Sequence, residues 1–253
     1  MITNETINEL ARRYQTSAFP NIVREYIQHL FLASLYVLPG AENLLFKGGT
    51  ALRIVYGSPR FSEDLDFSLF RIPPRDTKQF AEGLLIKVLT EIERSGIKTD
   101  LHEKSRPTDG GYFGAANFSV DQFPPASVEI NVSARNGKNL IGEVDSVANE
   151  FVPTYTLFHL PQDYIVEEKV FGALLERKKP RDFYDLYFMM RKGMVSPGNR
   201  ARLADYTEKI LTDARQINFD AELGAFLPAS QHMIIRNFPQ TLEQEMHRQI
   251  SIS

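Results

Sequence analysis

Apolar residues recur along this chain with two spacings, and each spacing predicts a different element. Between residues 22 and 31 they follow one another at intervals of three and four, which is typical of one buried helix face. Leu65, Phe67 and Leu69 instead alternate with polar residues, which predicts a strand with one buried face. By the same criteria we expect helices over 5–17, 51–56 and 76–95, and strands over 44–46, 97–103, 112–120 and 127–134.

Turn residues and the change of spacing after residue 163 predict the organisation of the chain. Asn136-Gly137 is typical of a tight hairpin, so we expect a strand over 140–147 to return beside its predecessor. Helices are predicted over 165–177 and 182–191, separated by Pro180. We therefore expect an α/β (α+β) fold with a mixed sheet. It would have N-terminal helices over 1–40 packing on a core over 41–160, and a helical C-terminal domain over 161–253.

Composition narrows the class of protein further. The chain has 253 residues, of which 43% are hydrophobic and 24% charged, and it has no cysteine, which excludes disulfides and thiolate metal sites. Its net charge of −3 excludes a strongly basic nucleic-acid coat but is compatible with a local basic groove. The longest apolar run is too short to cross a membrane and the N-terminus does not resemble a secretory signal, so we expect a cytoplasmic protein without a membrane partner.

Candidate chemistry is concentrated in the predicted strand around Leu65. Asp64 and Asp66 are two residues apart, so on a strand their side chains share one face, with Cβ atoms about 6.5–7 Å apart. Two neighbouring carboxylates repel each other unless a cation lies between them, and Mg²⁺ prefers carboxylate oxygens together with substrate phosphates. A lone Asp-x-Asp pair is more often a solvated strand face, so the pair needs support from neighbouring residues.

That support comes from Gly48-Gly49-Thr50, which follows one predicted strand and precedes a short predicted helix. Glycines let the backbone approach a phosphate closely, and a helix N-terminus favours negative charge. The Thr50 hydroxyl could donate a further hydrogen bond. A Gly-Gly pair alone is usually only a turn. Placed before Asp64 and Asp66, it predicts a phosphate site next to a metal site, as phosphoryl or nucleotidyl transfer requires.

These residues carry a resemblance to a known family. Gly48-Gly49-Thr50 followed by Asp64-Leu65-Asp66 resembles the first motif of the polymerase-β-like nucleotidyltransferase superfamily. The longer string Lys47 to Leu52, with Arg60 to Phe67, is similar to the AbiEii/AbiGii branch of nucleotidyltransferase toxins. A second block, Glu168-Lys169 and then Arg181-Asp182-Phe183-Tyr184-Asp185-Leu186, fits the same branch. The resemblance covers about residues 44–190 and implies a polymerase-β-like core.

The resemblance implies metal-binding and catalytic roles for several carboxylates. Asp64 and Asp66 would hold one or two Mg²⁺ ions. A third carboxylate usually comes from a later strand, and Glu129 is our candidate, as metal ligand or general base, against the alternative of a solvent-facing strand residue. Asn131 shares its face. Asp182 would be an active-site carboxylate or a partner of Lys169, the alternative being favourable placement at a helix N-terminus.

Phosphate-binding roles are expected of the nearby cations and small polar residues. Lys169 would bind the β- and γ-phosphates as a point charge, unless it is an ordinary surface lysine. Arg60 would contact phosphate or hold a carboxylate, and Ser62 lies beside it. Arg181 would pair with Asp185 four residues later or reach the nucleotide. The candidate nucleotide-binding residues are Gly48, Gly49, Thr50, Arg60, Ser62, Lys169 and Arg181.

The activity that the resemblance implies is transfer of a nucleoside monophosphate from an NTP to an acceptor hydroxyl. The expected acceptor is a tRNA 3′ end, and an antitoxin encoded by an adjacent gene would be the partner. Residues 165–200 include eight basic and five acidic side chains, which suits an NTP and an RNA. Three alternatives remain open: a non-catalytic nucleotide-sensing or interaction protein, a kinase-like phosphotransferase toxin and a sugar-nucleotide transferase.

Overall fold

The chain folds into two compact units. The computed structural model describes residues 2–102, 105–108, 110–134 and 141–250. The first unit comprises Met1–Gly57 and Phe61–Leu160, and the second comprises Ser58–Arg60 and Pro161–Ser253. The tripeptide Ser58–Arg60 thus belongs to a different unit from the residues on either side of it in sequence.

A single mixed sheet forms the centre of the first unit. Its eight strands in the described residues are β1 (Leu44–Lys47), β2 (Leu65–Leu69), β3 (Lys98–Leu101), β4 (Arg106–Thr108), β5 (Gly111–Ser119), β6 (Ala126–Ser133), β7 (Glu143–Val147) and β8 (Tyr155–His159). Their order is β3-β5-β6-β2-β1-β8-β7, with β4 paired to β5. Strand β2 lies antiparallel to β1 and parallel to β6, so it is paired on both sides.

The sheet is covered by helices whose apolar faces form the core of this unit. They are α1 (Asn4–Arg13), α2 (Val23–Leu35), α3 (Gly48–Ile54) and α4 (Thr77–Arg94), with 3₁₀ turns at Ala41–Asn43 and Pro74–Asp76 and a kinked turn at Ala18–Ile22. The Thr3 hydroxyl caps α1 by accepting from the Thr6 N–H at 3.2 Å. Phe31 on α2, Val88 on α4, and Phe67 on β2 are among the fully buried side chains, because the hydrophobic effect favours removing these faces from water.

The second unit is helical. Its α-helices are α5 (Gln162–Glu167), α6 (Leu175–Arg177), α7 (Pro180–Arg191), α8 (Pro197–Ala204), α9 (Thr207–Ala214), α10 (Phe219–Leu223), α11 (His232–Arg236) and α12 (Phe238–Ile250). A π-helix over Glu168–Leu174 joins α5 to α6, and 3₁₀ turns lie at Gly224–Phe226 and Ala229–Gln231. The ring centroids of Phe219 and Phe238 are 4.5 Å apart in its core.

Two sequence expectations about local structure were wrong. The strand after Asn136-Gly137 does not return beside β6: β7 pairs with β8 at the other side of the sheet. The dipeptide itself lies outside the described residues. The helix expected from residue 51 begins at Gly48, so the glycine pair forms its first turn instead of a loop before it.

No helix in the described part of the chain combines the length and apolar character needed to span a membrane.

Acid sensitivity is expected from His29, which is buried in the first unit. Its Nδ1 is 2.9 Å from the Tyr155 hydroxyl, and burial, together with the charge of Arg53, lowers the pKa of His29 to about 3. Below about pH 6.5 the His29 imidazole binds a proton in the unfolded chain, whereas in the folded chain it stays neutral until the pH is close to 3. The free energy of unfolding should therefore fall between about pH 6.5 and 3, by up to about 1.4 kcal/mol per pH unit.

Urea denaturation at several pH values between 7 and 4 measures this slope. His29→Gln should flatten it, whereas His247→Gln, at a side chain that is 62% exposed, should leave it unchanged. An equal slope in wild type and His29→Gln would contradict the assignment.

Candidate active site on the central strands

The carboxylates of Asp64 and Asp66 are placed by the burial of the residues between and beyond them. Leu65 and Phe67 are fully buried. Because side chains alternate along a strand, Asp64 and Asp66 lie on the opposite face, where both are half-buried. Asp64 immediately precedes β2 and Asp66 is its second residue. Both carboxylates therefore lie at the start of β2, which is paired with a strand on each side.

The turn from β1 into α3 packs directly on Asp66. Antiparallel pairing sets Lys47 opposite Asp66, and Gly48 follows with φ +82. A Cβ on residue 48 would lie 2.2 Å from Asp66 Oδ2, which is closer than any real contact. Glycine is required here twice over, by the left-handed backbone and by the carboxylate that lies against its Cα.

Thr50 ties this turn to the other carboxylate residue. Its side chain is buried, and its hydroxyl donates to the backbone carbonyl of Asp64 at 2.5 Å. The hydroxyl proton is therefore used inside the protein rather than offered to a phosphate. Gly49, in the same helical turn, is also buried.

Strand β6 brings an amide to Asp66 from the other side. Parallel pairing places Asn131 in register with Asp66, and Asn131 Nδ2 donates to Asp66 Oδ1 at 3.1 Å. Glu129 lies two residues earlier on the same face and is exposed, while Val128 and Ile130 are buried. Since Leu65 is in register with Ile130, Glu129 lies at the level of Asp64. The alternation expected for this strand is present, but the residue that contacts an aspartate is Asn131.

The donor set fits a cation held by few protein ligands. Within the ranges described, no three His, Asp or Glu side chains form a group that could hold a metal ion. Mg²⁺ commonly takes one or two carboxylates and completes its shell with water and substrate phosphates. Two half-buried carboxylates on one face, one of them held by Asn131, match that requirement. A bound Mg²⁺ would neutralise charge on a phosphate and polarise its oxygens.

The second unit contains a buried ion cluster formed by Asp185, Arg60 and Lys169. Asp185 on α7 accepts from Arg60 Nε at 2.8 Å and Nη2 at 3.0 Å, and from Lys169 Nζ at 2.8 Å. Burial alone would raise the pKa of Asp185, but the charges and hydrogen bonds of Arg60 and Lys169 hold it below its ordinary value. Arg60 thus takes the second of its two expected roles, holding a carboxylate. Lys169 is a buried, paired lysine, not a surface one.

The partners expected for Asp182 and Arg181 were wrong. Asp182 is buried and accepts from Arg177 Nε at 2.9 Å and Nη2 at 2.7 Å, whereas Lys169 binds Asp185. Arg181 does not pair with Asp185, and its Nε is buried without a hydrogen-bond partner in the described residues. Left-handed Lys178 and the following Pro180 reverse the chain between α6 and α7. This reversal places Lys169 beside Asp185, the second aspartate of the block, and not beside Asp182, the first.

Ser62 lies in the extended segment just before β2. Its side chain is half-buried, and its backbone carbonyl accepts from Gln28 Nε2 at 3.0 Å. The Gln28 amide also donates to the Glu63 carbonyl at 3.2 Å, so α2 holds the approach to Asp64 in place.

A family model agrees with the motifs over nearly the whole chain. The model describes the nucleotidyl transferase AbiEii toxin of type IV toxin–antitoxin systems, and it matches residues 30–249. The chain belongs to the AbiEii nucleotidyl transferase toxin family. The resemblance seen in the two sequence blocks is confirmed, and it extends through the helical second unit. Membership implies a transferase and an antitoxin partner.

Two solved structures are similar in fold to this chain. A protein from H. pylori described as a candidate nucleotidyltransferase is 22% identical, with a TM-score of 0.65, over 92% of this chain and 96% of its own. JHP933 from Helicobacter pylori is also 22% identical, with a TM-score of 0.63, over 94% of each chain. The α/β fold with a nucleotidyltransferase core and a helical C-terminal part is thereby confirmed. No curated protein matches the sequence.

Replacing Gly48 by alanine tests the contact with Asp66. Gly57→Ala is a matched control, because Gly57 has φ +77 but nothing within 4 Å of an added Cβ. Both variants should lose roughly 1–2 kcal/mol of stability from backbone strain. Gly48→Ala should lose a further 1–3 kcal/mol or so, because the methyl group must displace the carboxylate. Urea denaturation measures the difference, and equal losses would show that the contact is absent.

Removing the charge of Asp185 tests the buried cluster of this AbiEii protein. Asp185→Asn leaves two buried cations without their carboxylate, so it should cost about 3–5 kcal/mol of stability. Asp213→Asn, which breaks the partly exposed pair with Lys178, should cost no more than about 1 kcal/mol.

The pH dependence provides a second measurement on the same variants. Folding lowers the pKa of Asp185 from its ordinary value of 3.8. Ionised Asp185 therefore contributes to the free energy of unfolding above about pH 3.8, and this contribution is lost as the pH falls below that value. Similar stability losses in Asp185→Asn and Asp213→Asn would contradict the role of Asp185.

Proposed function

We propose that this AbiEii-family protein is a Mg²⁺-dependent nucleotidyltransferase that moves a nucleoside monophosphate from an NTP to an acceptor hydroxyl, at the 3′ end of a tRNA. The observation that carries the proposal is the arrangement around Asp66. Its carboxylate shares a strand face with Asp64, lies against the first turn of α3 at Gly48, and accepts a hydrogen bond from Asn131. Nucleotidyl transfer needs carboxylates that hold a metal ion and a backbone turn that can approach a phosphate closely.

In this reaction the acceptor oxygen forms a bond to the α-phosphorus of the NTP, the bond from that phosphorus to the bridging oxygen breaks, and pyrophosphate leaves. Asp64 and Asp66 would hold one or two Mg²⁺ ions. Glu129, exposed on the same face, is our candidate to accept the proton of the acceptor hydroxyl or to add a ligand. Since the Thr50 hydroxyl bonds to the Asp64 carbonyl, backbone N–H groups of Gly48 and Gly49 are the better candidates to contact phosphate.

The sequence block of the second unit supports the same activity. Arg181 is our candidate phosphate-binding cation of this unit, because Arg60 and Lys169 already donate to Asp185 and would have to exchange those bonds for bonds to a phosphate. Asp182 remains a candidate active-site carboxylate, and Ser62, near the first motif, a candidate nucleotide-binding residue. An NTP and an RNA are both polyanions, and the basic stretch over 165–200 suits them. The antitoxin partner is expected to be encoded by an adjacent gene.

Labelled nucleotides test the proposal directly. The protein is incubated with Mg²⁺ and each NTP carrying an α-phosphate label, with a tRNA pool or a protein pool as acceptor. We expect label on tRNA, at its 3′ end. Transfer from a γ-label instead would identify the kinase-like phosphotransferase, and nucleotide binding without transfer of either label would identify the non-catalytic sensor.

Asp66→Asn should reduce α-label transfer by at least about 100-fold, because a lost metal ligand removes several kcal/mol of transition-state stabilisation. Asp100→Asn is the matched control, since Asp100 is an exposed aspartate on edge strand β3 of the same sheet, and its transfer rate should equal that of wild type. Undiminished transfer by both Asp64→Asn and Asp66→Asn would sink the proposal.

A further inference from the structure

Asp66 is held from both sides of β2, by Asn131 on β6 and by Gly48, which follows β1 as the first residue of α3. Asn131 Nδ2, from β6, donates to Oδ1 at 3.1 Å. Oδ2 lies over the Cα of Gly48, where an added Cβ would be 2.2 Å away. The two contacts therefore act on different oxygens of one carboxylate. The terminal torsion of an aspartate is broad when the side chain is free, so opposing contacts on its two oxygens restrict its rotation.

The chemistry of Asn131 suits this task better than a carboxylate would. Its amide NH₂ is a donor, whereas an ionised carboxylate only accepts. A donor beside Asp66 adds no charge to a face that already carries Asp64 and Glu129. Register makes the placement specific, because Asn131 is paired with Asp66 itself and Glu129 lies one step away at the level of Asp64.

We propose that Asn131 is a positioning residue that fixes the Asp66 carboxylate in the orientation needed to bind a divalent cation. This inference rests on the proposed function, since it takes Asp66 as a metal ligand. Replacing a group that orients a ligating carboxylate typically lowers the metal affinity about 10–100-fold. The loss on replacing Asn131 should thus appear in metal binding, before any chemistry occurs.

Mn²⁺ binding to the full chain without nucleotide, followed by electron paramagnetic resonance or calorimetry, is the primary test. Asn131→Leu keeps a side chain of similar size without the donor and should weaken Mn²⁺ binding by roughly 10–100-fold. Asn131→Ala is a second variant with less bulk on the half-buried face. Ser127→Ala, at an exposed position on the same face of β6, should bind Mn²⁺ like wild type.

A kinetic measurement separates positioning from a merely structural role. The Mg²⁺ concentration for half-maximal transfer should rise in Asn131→Leu, and excess Mg²⁺ should restore the rate toward that of wild type. The urea midpoint should stay near that of wild type. A rate that excess Mg²⁺ cannot restore, or a midpoint shift that accounts for the loss, would overturn the proposal.

The outcomes distinguish this inference from the function on which it rests. Equal Mn²⁺ affinity in wild type and both Asn131 variants, with binding weakened in Asp66→Asn, would overturn the role of Asn131 and leave the metal site standing. Equal affinity in wild type and Asp66→Asn would overturn the metal site itself, and the inference with it.

Discussion

The two-residue period of β2 is the constraint on which the candidate site depends. Leu65 and Phe67 must be buried, and this forces Asp64 and Asp66 to the other face. A shift of one residue would bury both carboxylates and expose both apolar side chains. Because β1 and β6 pair with β2 on its two sides, the same constraint also fixes which residues reach Asp66: Gly48, directly after β1, and Asn131 on β6.

Pairing within the second unit changes what its basic residues can do. The excess of positive charge over residues 165–200 suits a polyanion, but several of those cations have partners inside the protein. Lys169 binds Asp185, Arg177 binds Asp182 and Lys178 binds Asp213. A neutralised cation attracts phosphate less than its formal charge suggests. Asp182 and Asp185 are already among the five acidic residues counted over this stretch, so the pairing reduces the number of cations available to an RNA rather than the net charge.

Periodicity and motif order were enough to predict β1, β2, β3, β5 and β6, the shared strand face of Asp64 and Asp66, and the family, but they did not predict β4 or β8. They failed where the answer depends on the path of the chain through space. The direction taken after Asn136-Gly137 decides which strand β7 joins, and local turn preference carries no information about that choice. The reversal between α6 and α7 likewise decides whether Asp182 or Asp185 meets Lys169. Asn131 shares a face with Glu129 in the sequence pattern, but only the β2–β6 register shows which of them reaches Asp66.

The hydrogen bond from Thr50 to the Asp64 carbonyl connects the glycine turn of the first motif to its carboxylate strand. The spacing of the motif in the sequence does not reveal this connection. Thr50 lies in the first turn of α3, and it holds the backbone of Asp64 through its hydroxyl. Gly48 in the same turn lies against the side chain of Asp66. A ligand that moved this turn would therefore move both carboxylate residues with it. The turn that would face a phosphate and the carboxylates that would face a cation are therefore parts of one connected piece of backbone.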